Sequence, residues 1–148
     1  MKILLASDHA GYELKNQIKD FLVAEGFEIE DMGAHTYNKD DNYPEIMLPV
    51  AIRVLSDSNS KAIIFGKSGQ GEAMIVNRFP GIRAIVYHGK NLEILRLGRE
   101  HNDSNILSIG AGFVEFEEAR EAIRLWISTP FSNDERHIRR IEQMDNIE

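Results

Sequence analysis

The third apolar run of the chain reads Ala62-Ile63-Ile64-Phe65 and passes directly into Gly66-Lys67-Ser68-Gly69-Gln70-Gly71-Glu72. Apolar residues without polar alternation predict a strand that is buried on both faces, as in a parallel sheet. The following turn holds three glycines within six residues, which favours a tight connection with positive φ angles. The stretch therefore predicts a buried strand that enters a helix through a glycine-rich turn.

Similar apolar runs occur at residues 3–6, 27–29, 82–87 and 106–109. They alternate with segments whose apolar residues recur at helical spacing, at 14–22, 44–55, 90–99 and 116–126. Gly26 is a predicted helix stop, and Pro49 should kink the second helix or delay its start. This alternation predicts an α/β fold: a three-layer α/β/α sandwich around a five-stranded parallel, Rossmann-like sheet.

Composition narrows the class of protein. The 148 residues carry 17 basic and 24 acidic side chains, for a net charge of −7, and no cysteine. The acidic balance argues against nucleic acid or an anionic membrane as a partner, and the missing cysteine excludes disulfides, thiolate metal sites and a thiol base. No segment is apolar enough for a signal peptide or a membrane span. We expect a soluble, cytoplasmic protein.

The chain is expected to form one domain, residues 1–148. Residues 1–130 make the sandwich, and residues 131–148 form an extra C-terminal helix. Ser132-Asn133-Asp134-Glu135 has the pattern of a capping box at the start of that helix.

Ligands of parallel α/β sheets bind beyond the carboxyl ends of the strands. The first strand ends there in Ser7-Asp8-His9-Ala10-Gly11. Asp8 and His9 suit an anion or sugar site, although Asp8 could equally serve only to cap the next helix.

The glycine-rich turn after the third strand fits none of the familiar nucleotide or hydrolase motifs. A nucleotide-binding phosphate loop requires glycine at position 61, where this chain has Lys61. A dinucleotide fingerprint requires a small residue at position 74, where it has Met74. A nucleophile elbow requires glycine at position 70, where it has Gln70. Its backbone N–H groups could still hold a phosphate or a developing oxyanion. The alternative is a tight turn with no ligand.

Glu72 follows this turn in the first turn of the predicted helix. A carboxylate beside an oxyanion site is suited to removing a proton α to a carbonyl group. It could also simply interact with the helix dipole. Burial would raise its pKa and nearby N–H groups would lower it.

Two further groups of polar residues lie late in the chain. Arg136 and Arg140 are four residues apart, on one helix face, where they could grip a phosphate or form ordinary surface ion pairs. His101 and Asn102 close the fourth helix. The histidines show no spacing typical of a metal site.

Taken in order, these motifs resemble the family of type B ribose-5-phosphate isomerases, which also includes galactose-6-phosphate isomerase subunits. The similarity spans almost the whole chain. The segments that carry it are Ser7-Asp8-His9-Ala10-Gly11, Glu13-Leu14-Lys15, Asp41-Asn42-Tyr43-Pro44, Gly66 to Glu72, Asn77-Arg78, Gly81-Ile82-Arg83-Ala84, Arg99-Glu100-His101-Asn102 and Arg136-His137-Ile138-Arg139-Arg140.

The resemblance implies an enzyme of the pentose phosphate pathway that interconverts ribose 5-phosphate and ribulose 5-phosphate through a cis-enediolate, without metal or other cofactor. His101 would open the sugar ring near Asp8, Ser68 would stabilise the enediolate, and Glu72 would be the base of the glutamate variant of the family. The implied substrate-binding residues are Asp8, His9, Tyr43, Lys67, Ser68, Gly69, Gln70, Gly71, Asn102, Arg136 and Arg140.

The chain departs from the pattern of this family at two positions. Many members have a cysteine base at the end of the third strand, where this chain has Gly66. Gly112 occupies the position of a phosphate-binding arginine that usually follows the fifth strand. An isomerase of a six-carbon sugar phosphate or of a non-phosphorylated sugar acid is therefore an alternative, and a sugar-phosphate-binding regulatory protein is the alternative without catalysis.

Topology adds an expectation about assembly. Asp8 and Ser68 follow strands, whereas His101 precedes one, so the two groups should lie at opposite edges of the sheet. If His101 is catalytic, a second copy must supply it. We therefore expect a homodimer with two shared sites, as the resemblance also implies.

Overall fold

The structure, a computed structural model, describes residues 1–147. Within this range the strands are β1 (Lys2–Ser7), β2 (Glu28–Asp31), β3 (Ser60–Gly66), β4 (Ala84–Tyr87) and β5 (Ile106–Gly110). The helices are α1 (Tyr12–Ala24), α2 (Tyr43–Ser56), α3 (Gln70–Val76), α4 (Glu93–Glu100), α5 (Phe116–Ser128) and α6 (Glu135–Asp145).

All five strands are parallel, in the order β2-β1-β3-β5-β4. Successive residues of β1 enter different cores: Ile3 and Leu5 pack beneath α1 and α5, whereas Leu4 and Ala6 pack beneath α2 and α3. Helices on both faces explain why the strands are apolar without alternation. The predicted three-layer sandwich with an extra C-terminal helix is confirmed.

Several predicted boundaries were wrong, and local turns explain why. Ile82 belongs to a turn in which its N–H donates to the Phe79 carbonyl, so the fourth strand begins only at Ala84. Lys90 has a φ of 78°, which is incompatible with a helix, and α4 begins at Glu93. Pro49 lies on the exposed side of α2 and does not delay its start.

The C-terminal helix also starts later than the capping-box pattern predicts. Asp134 rather than Ser132 is the residue before α6. The Ser132 hydroxyl oxygen accepts the Asp134 N–H at 3.2 Å and lies 2.8 Å from Nδ1 of His137. No helix within residues 1–147 is long and apolar enough to cross a membrane.

The order of the strands determines where polar residues can meet. β1, β3 and β5 are adjacent, with Ser7 paired to Phe65 and Gly66 paired to Gly110. The segments that follow these three strands therefore emerge side by side at the carboxyl edge of the sheet.

Candidate active site

Glu72 is a buried carboxylate at this carboxyl edge. It lies in the first turn of α3 and is only 3% exposed. Its side chain packs over Gly66: a Cβ atom at position 66 would lie 2.5 Å from Glu72 Oε2 and nearer still to Oε1. Only glycine at the end of β3 leaves room for the carboxylate in this position.

The surroundings of Glu72 raise its pKa above the ordinary value. Burial raises the pKa of Glu72, its own backbone N–H lowers it, and the neighbouring Asp8 carboxylate raises it through charge repulsion and a hydrogen bond. Asp8 is itself buried, and its Oδ1 accepts the N–H groups of Ala10 at 2.9 Å and Gly11 at 3.2 Å. Asp8 thus supports the start of α1 and contacts Glu72, so the capping and functional interpretations are compatible.

The glycine-rich turn forms a cradle, residues 67–71, that is fixed against the segment after β5. Gly69 adopts a φ of 78°, and its carbonyl accepts the buried Ser108 hydroxyl at 2.6 Å. The N–H groups of Ala111 and Gly112 donate to the carbonyls of Gly66 at 2.7 Å and Lys67 at 2.9 Å. The cradle therefore has a defined shape before any ligand binds.

Two side chains border the cradle. The hydroxyl of Tyr43, from the start of α2, would lie 2.6 Å from a Cβ atom at Gly71, so it touches the cradle backbone directly. The Ser68 hydroxyl oxygen accepts the Gln70 N–H at 3.3 Å, and Ser68 is half-buried. A sugar bound here would meet hydroxyl groups as well as backbone N–H groups.

His9, which follows Asp8, is held by a loop carboxylate. Its Nδ1 lies 2.6 Å from Asp41 Oδ1, and the same oxygen accepts the His9 backbone N–H at 3.2 Å. The hydrogen bond with Asp41 raises the pKa of His9, burial lowers it, and the nearby Asp8 charge raises it. A protonated His9 can donate from Nε2 to an anion.

Asp8, His9 and Asp41 also offer ligand atoms within 4.8 Å of one another, close enough to surround a metal ion. However, His9 Nδ1 is already engaged by Asp41. Nε2 is thus the ring nitrogen left for a ligand. It coordinates a cation only when the ring is neutral, and the raised pKa of His9 favours the protonated ring, which donates to an anion.

A second polar group lies at the opposite, amino edge of the sheet. His101 follows α4, and its ring lies 4.3 Å from that of the buried His137 on α6, measured between centroids. The Asn102 carbonyl accepts Nε of Arg83, which directly precedes β4, and Asp145 at the end of α6 pairs with the same arginine at 3.2 Å. His101, Asn102 and α6 therefore lie together at the amino edge.

The predicted site residues thus fall into two groups. The carboxyl edge carries Asp8, His9, Tyr43, Lys67, Ser68, Gly69, Gln70, Gly71 and Glu72. The amino edge carries His101 and Asn102, with Arg136 and Arg140 exposed on α6. The separation expected from topology is present within one chain.

Sequence reasoning gave no role to three residues of these groups. Asp41 lies within a quoted motif, but nothing in its spacing indicates the contact with His9, 32 positions away. The sequence shows that Gly66 stands where many family members have a cysteine, but it does not show that Gly66 leaves space for the Glu72 carboxylate. His137 stands between the two α6 arginines in sequence, yet it is 4% exposed and packs on His101.

Comparison with known proteins relates this geometry to solved structures and characterised relatives. The chain is 37% identical over 148 residues to ribose-5-phosphate isomerase B of Mycobacterium leprae, covering 100% of this chain and 90% of the relative. The Clostridium thermocellum ribose-5-phosphate isomerase B structure superposes with a TM-score of 0.92 at 38% identity, covering 98% of this chain and 95% of the other.

A third relative was solved with a sugar phosphate. The structure of Mycoplasma genitalium ribose-5-phosphate isomerase B with bound ribulose-5-phosphate has a TM-score of 0.91 and 28% identity, and it covers 97% of this chain and 93% of the other. The family model described as Ribose/Galactose Isomerase matches residues 3–144. The chain therefore belongs to the ribose/galactose isomerase family.

Proposed function

We propose that this protein is an aldose–ketose isomerase that interconverts ribose 5-phosphate and ribulose 5-phosphate, using Glu72 as its base. The observation that carries the proposal is the buried Glu72 carboxylate beside the cradle, in space that Gly66 leaves open. The substrate is the one named for the Mycobacterium leprae, Clostridium thermocellum and Mycoplasma genitalium relatives.

The reaction moves one proton from C2 to C1 and a second from the C2 hydroxyl to the C1 oxygen. Glu72 removes the proton from C2 of the open-chain aldose while the carbonyl oxygen at C1 gains negative charge, which gives a cis-enediolate. Ser68 and the N–H groups of the cradle stabilise that charge. Glu72 then returns its proton to C1 while the proton of the C2 hydroxyl passes to the neighbouring C1 oxygen, so that C2 becomes the carbonyl carbon of the ketose. A raised pKa suits this role, because one group must both accept and donate the proton near neutral pH.

Substrate binding is proposed to combine both edges of the sheet. His101 of a second copy opens the sugar ring near Asp8, and Asn102 of that copy binds sugar hydroxyls. His9 and the Arg136 and Arg140 side chains of the second copy hold the phosphate. One chain keeps these groups apart, so the active form is a homodimer with two shared sites.

The proposed chemistry requires no metal, and we propose that the enzyme acts in the cytoplasm. Proton transfer by Glu72 and oxyanion binding by the cradle need no Lewis acid. A phosphorylated sugar is charged and does not cross a bilayer unaided, so its isomerase must share its compartment.

Six-carbon sugar phosphates are the second candidate substrates, because the family includes galactose isomerases and because position 112 lacks a cationic side chain. A panel of pentose phosphates, hexose phosphates and non-phosphorylated sugar acids ranks them by kcat/KM. The proposal expects ribose 5-phosphate to give the highest value, and a tenfold preference for another sugar would reassign the substrate.

The Glu72→Gln variant tests the base. We expect isomerisation to fall by at least about 100-fold, as for loss of a general base, with sugar-phosphate binding retained. Exchange of the C1 and C2 protons in heavy water should stop in the variant and proceed in the wild type. A regulatory protein without catalysis would show no exchange in either. Wild-type isomerisation by Glu72→Gln would refute the assignment.

A further inference from the structure

We infer that Lys67 is a phosphate-binding, specificity-determining residue of this enzyme, and that its side chain and a side chain at position 112 compete for the same space. This inference rests on the proposed function and assigns to the Lys67 ammonium group a role beyond its backbone N–H in the cradle. It is carried by the position of Lys67, its lack of an ion-pair partner, and its contact with Gly112.

Lys67 lies at the carboxyl edge of the sheet. It directly follows the last residue of β3 and starts the cradle, and it is exposed. Its carbonyl accepts the Gly112 N–H at 2.9 Å, so its backbone is fixed against the segment after β5. The Lys67 side chain is therefore attached to a fixed backbone position at the carboxyl edge.

The Lys67 stem packs against Gly112. A Cβ atom built on Gly112 would lie 3.1 Å from Lys67 Cγ and 3.0 Å from the Lys67 carbonyl oxygen. Both distances are tighter than nine in ten real Cβ contacts. The Lys67 stem thus covers the face of Gly112 where another side chain would begin. A side chain at position 112 therefore requires the Lys67 stem or its carbonyl to give way by a few tenths of an ångström.

The charges at the carboxyl edge favour an additional cation for a phosphate ligand. A sugar phosphate whose reactive carbons lie at the cradle brings its phosphate to an edge that also carries the carboxylates of Asp8, Glu72 and Asp41, in a chain of net charge −7. His9 is the nearby partner of Asp41, so much of its charge is already balanced. Within residues 1–147, Lys67 forms no ion pair with an acidic side chain. It is therefore available to a dianionic ligand.

The substrate class follows from these groups. The cradle N–H groups hold the C1 oxygen, and the flexible ammonium of Lys67 extends from the cradle toward the other end of the sugar, where it binds a terminal phosphate better than a neutral hydroxymethyl group. Lys67 should therefore select phosphorylated sugars over their non-phosphorylated counterparts, and it supplies the cation that position 112 lacks.

The test measures phosphate recognition in Lys67→Gln, with Lys90→Gln as the control for removing an exposed lysine that follows another strand of the sheet, β4. The KM for ribose 5-phosphate should rise about 10- to 100-fold in Lys67→Gln, the loss typical of a charge-assisted contact, with kcat changed only a few-fold. Lys90→Gln should leave KM unchanged. A change below twofold in Lys67→Gln, or an equal change for non-phosphorylated ribose, would overturn the inference.

Moving the cationic side chain from position 67 to position 112 provides a second measurement. Gly112→Arg alone should improve phosphate affinity little, because the new side chain meets Lys67. In the Lys67→Gly/Gly112→Arg double variant, the arginine should recover most of the affinity lost in Lys67→Gly. Additive effects of the two changes would contradict the predicted competition.

Direct binding of inorganic phosphate separates this inference from the proposed function. Calorimetry should show weaker phosphate binding to Lys67→Gln than to the wild type, whatever the enzyme converts. If wild-type protein isomerised no sugar phosphate but Lys67→Gln lost phosphate binding, the proposed function would fail and the role of Lys67 would stand. If isomerisation were normal and phosphate binding unchanged, only the role of Lys67 would fail.

Discussion

Replacing Gly66 by alanine should inactivate the protein without unfolding it. The added Cβ atom would lie 2.5 Å from Glu72 Oε2, whereas real Cβ atoms essentially never approach another atom within 3.0 Å. Oε2 must therefore move by at least the difference of 0.5 Å, and Oε1, which is nearer, must move further. The base is displaced by a distance on the order of 1 Å, enough to cost roughly 100-fold in rate.

The expected loss in kcat of about 100-fold corresponds to about 2.7 kcal/mol of transition-state stabilisation. Stability should change much less, because the overlap falls on the tip of the flexible Glu72 side chain rather than on backbone. We expect the free energy of unfolding of Gly66→Ala to stay within about 1.5 kcal/mol of the wild type. Isomerase assays and urea unfolding measure the two quantities separately.

Gly98→Ala is the matched control for this experiment. The new Cβ atom there also meets the tip of a flexible side chain, Ile85 Cδ1 at 2.5 Å, but away from Glu72. It should retain most of the wild-type kcat. If Gly66→Ala kept more than half of the wild-type kcat, or lost no more than Gly98→Ala, the carboxylate over Gly66 would not be the base.

Three further predictions concern charge and metal. In Asp41→Asn, His9 loses the negatively charged acceptor that raises its pKa. The rise in KM with increasing pH should therefore begin at lower pH than in the wild type; identical KM profiles would contradict this. Burial raises the pKa of Asp31, but hydrogen bonds from Lys15, the Gly33 N–H and Lys19 lower it to about 2. Because this folded-state pKa is depressed, the stabilisation by Asp31 is complete at neutral pH and is lost as the pH falls below about 4 toward 2. Asp31→Asn leaves the buried Lys15 ammonium without its carboxylate and should cost about 3–5 kcal/mol at pH 7, measured by urea unfolding with tryptophan fluorescence; a loss below 1 kcal/mol would show that the pair is dispensable. Isomerisation should survive exhaustive treatment with EDTA, and a loss reversed by a divalent cation would place a metal in the site.

The fold could be predicted because the buried positions of strands and helices are apolar and recur at a characteristic spacing in the sequence. Ile3 and Leu4 enter different cores on the two faces of one strand, so both had to be apolar. The spacing of apolar residues does not determine where a strand or helix ends, because the ends depend on the backbone conformation of single residues. Ile82 is apolar although it lies in a turn, and nothing in the sequence marks the φ of 78° at Lys90, so both boundaries were misplaced there.

The site was predictable to the extent that the sheet determines it. Asp8 and Glu72 meet because they follow β1 and β3, which are adjacent strands. The contact of Asp41 with His9 could not be predicted, because it is made by an irregular loop in which no spacing restricts the partner. The overlap of Lys67 with position 112 likewise depends on how two loops pack, and only coordinates reveal it.

The absence of cysteine and the presence of Glu72 are linked by steric exclusion. The resemblance implies a thiol base at position 66 in many members of the family, and any side chain at that position would occupy the volume of the Glu72 carboxylate in this structure. The two bases cannot both be present in these positions, so replacing the thiol required a residue without a side chain at the end of β3. Under the proposed function Gly66 serves catalysis as well as folding, because it keeps open the space from which Glu72 would reach a sugar in the cradle.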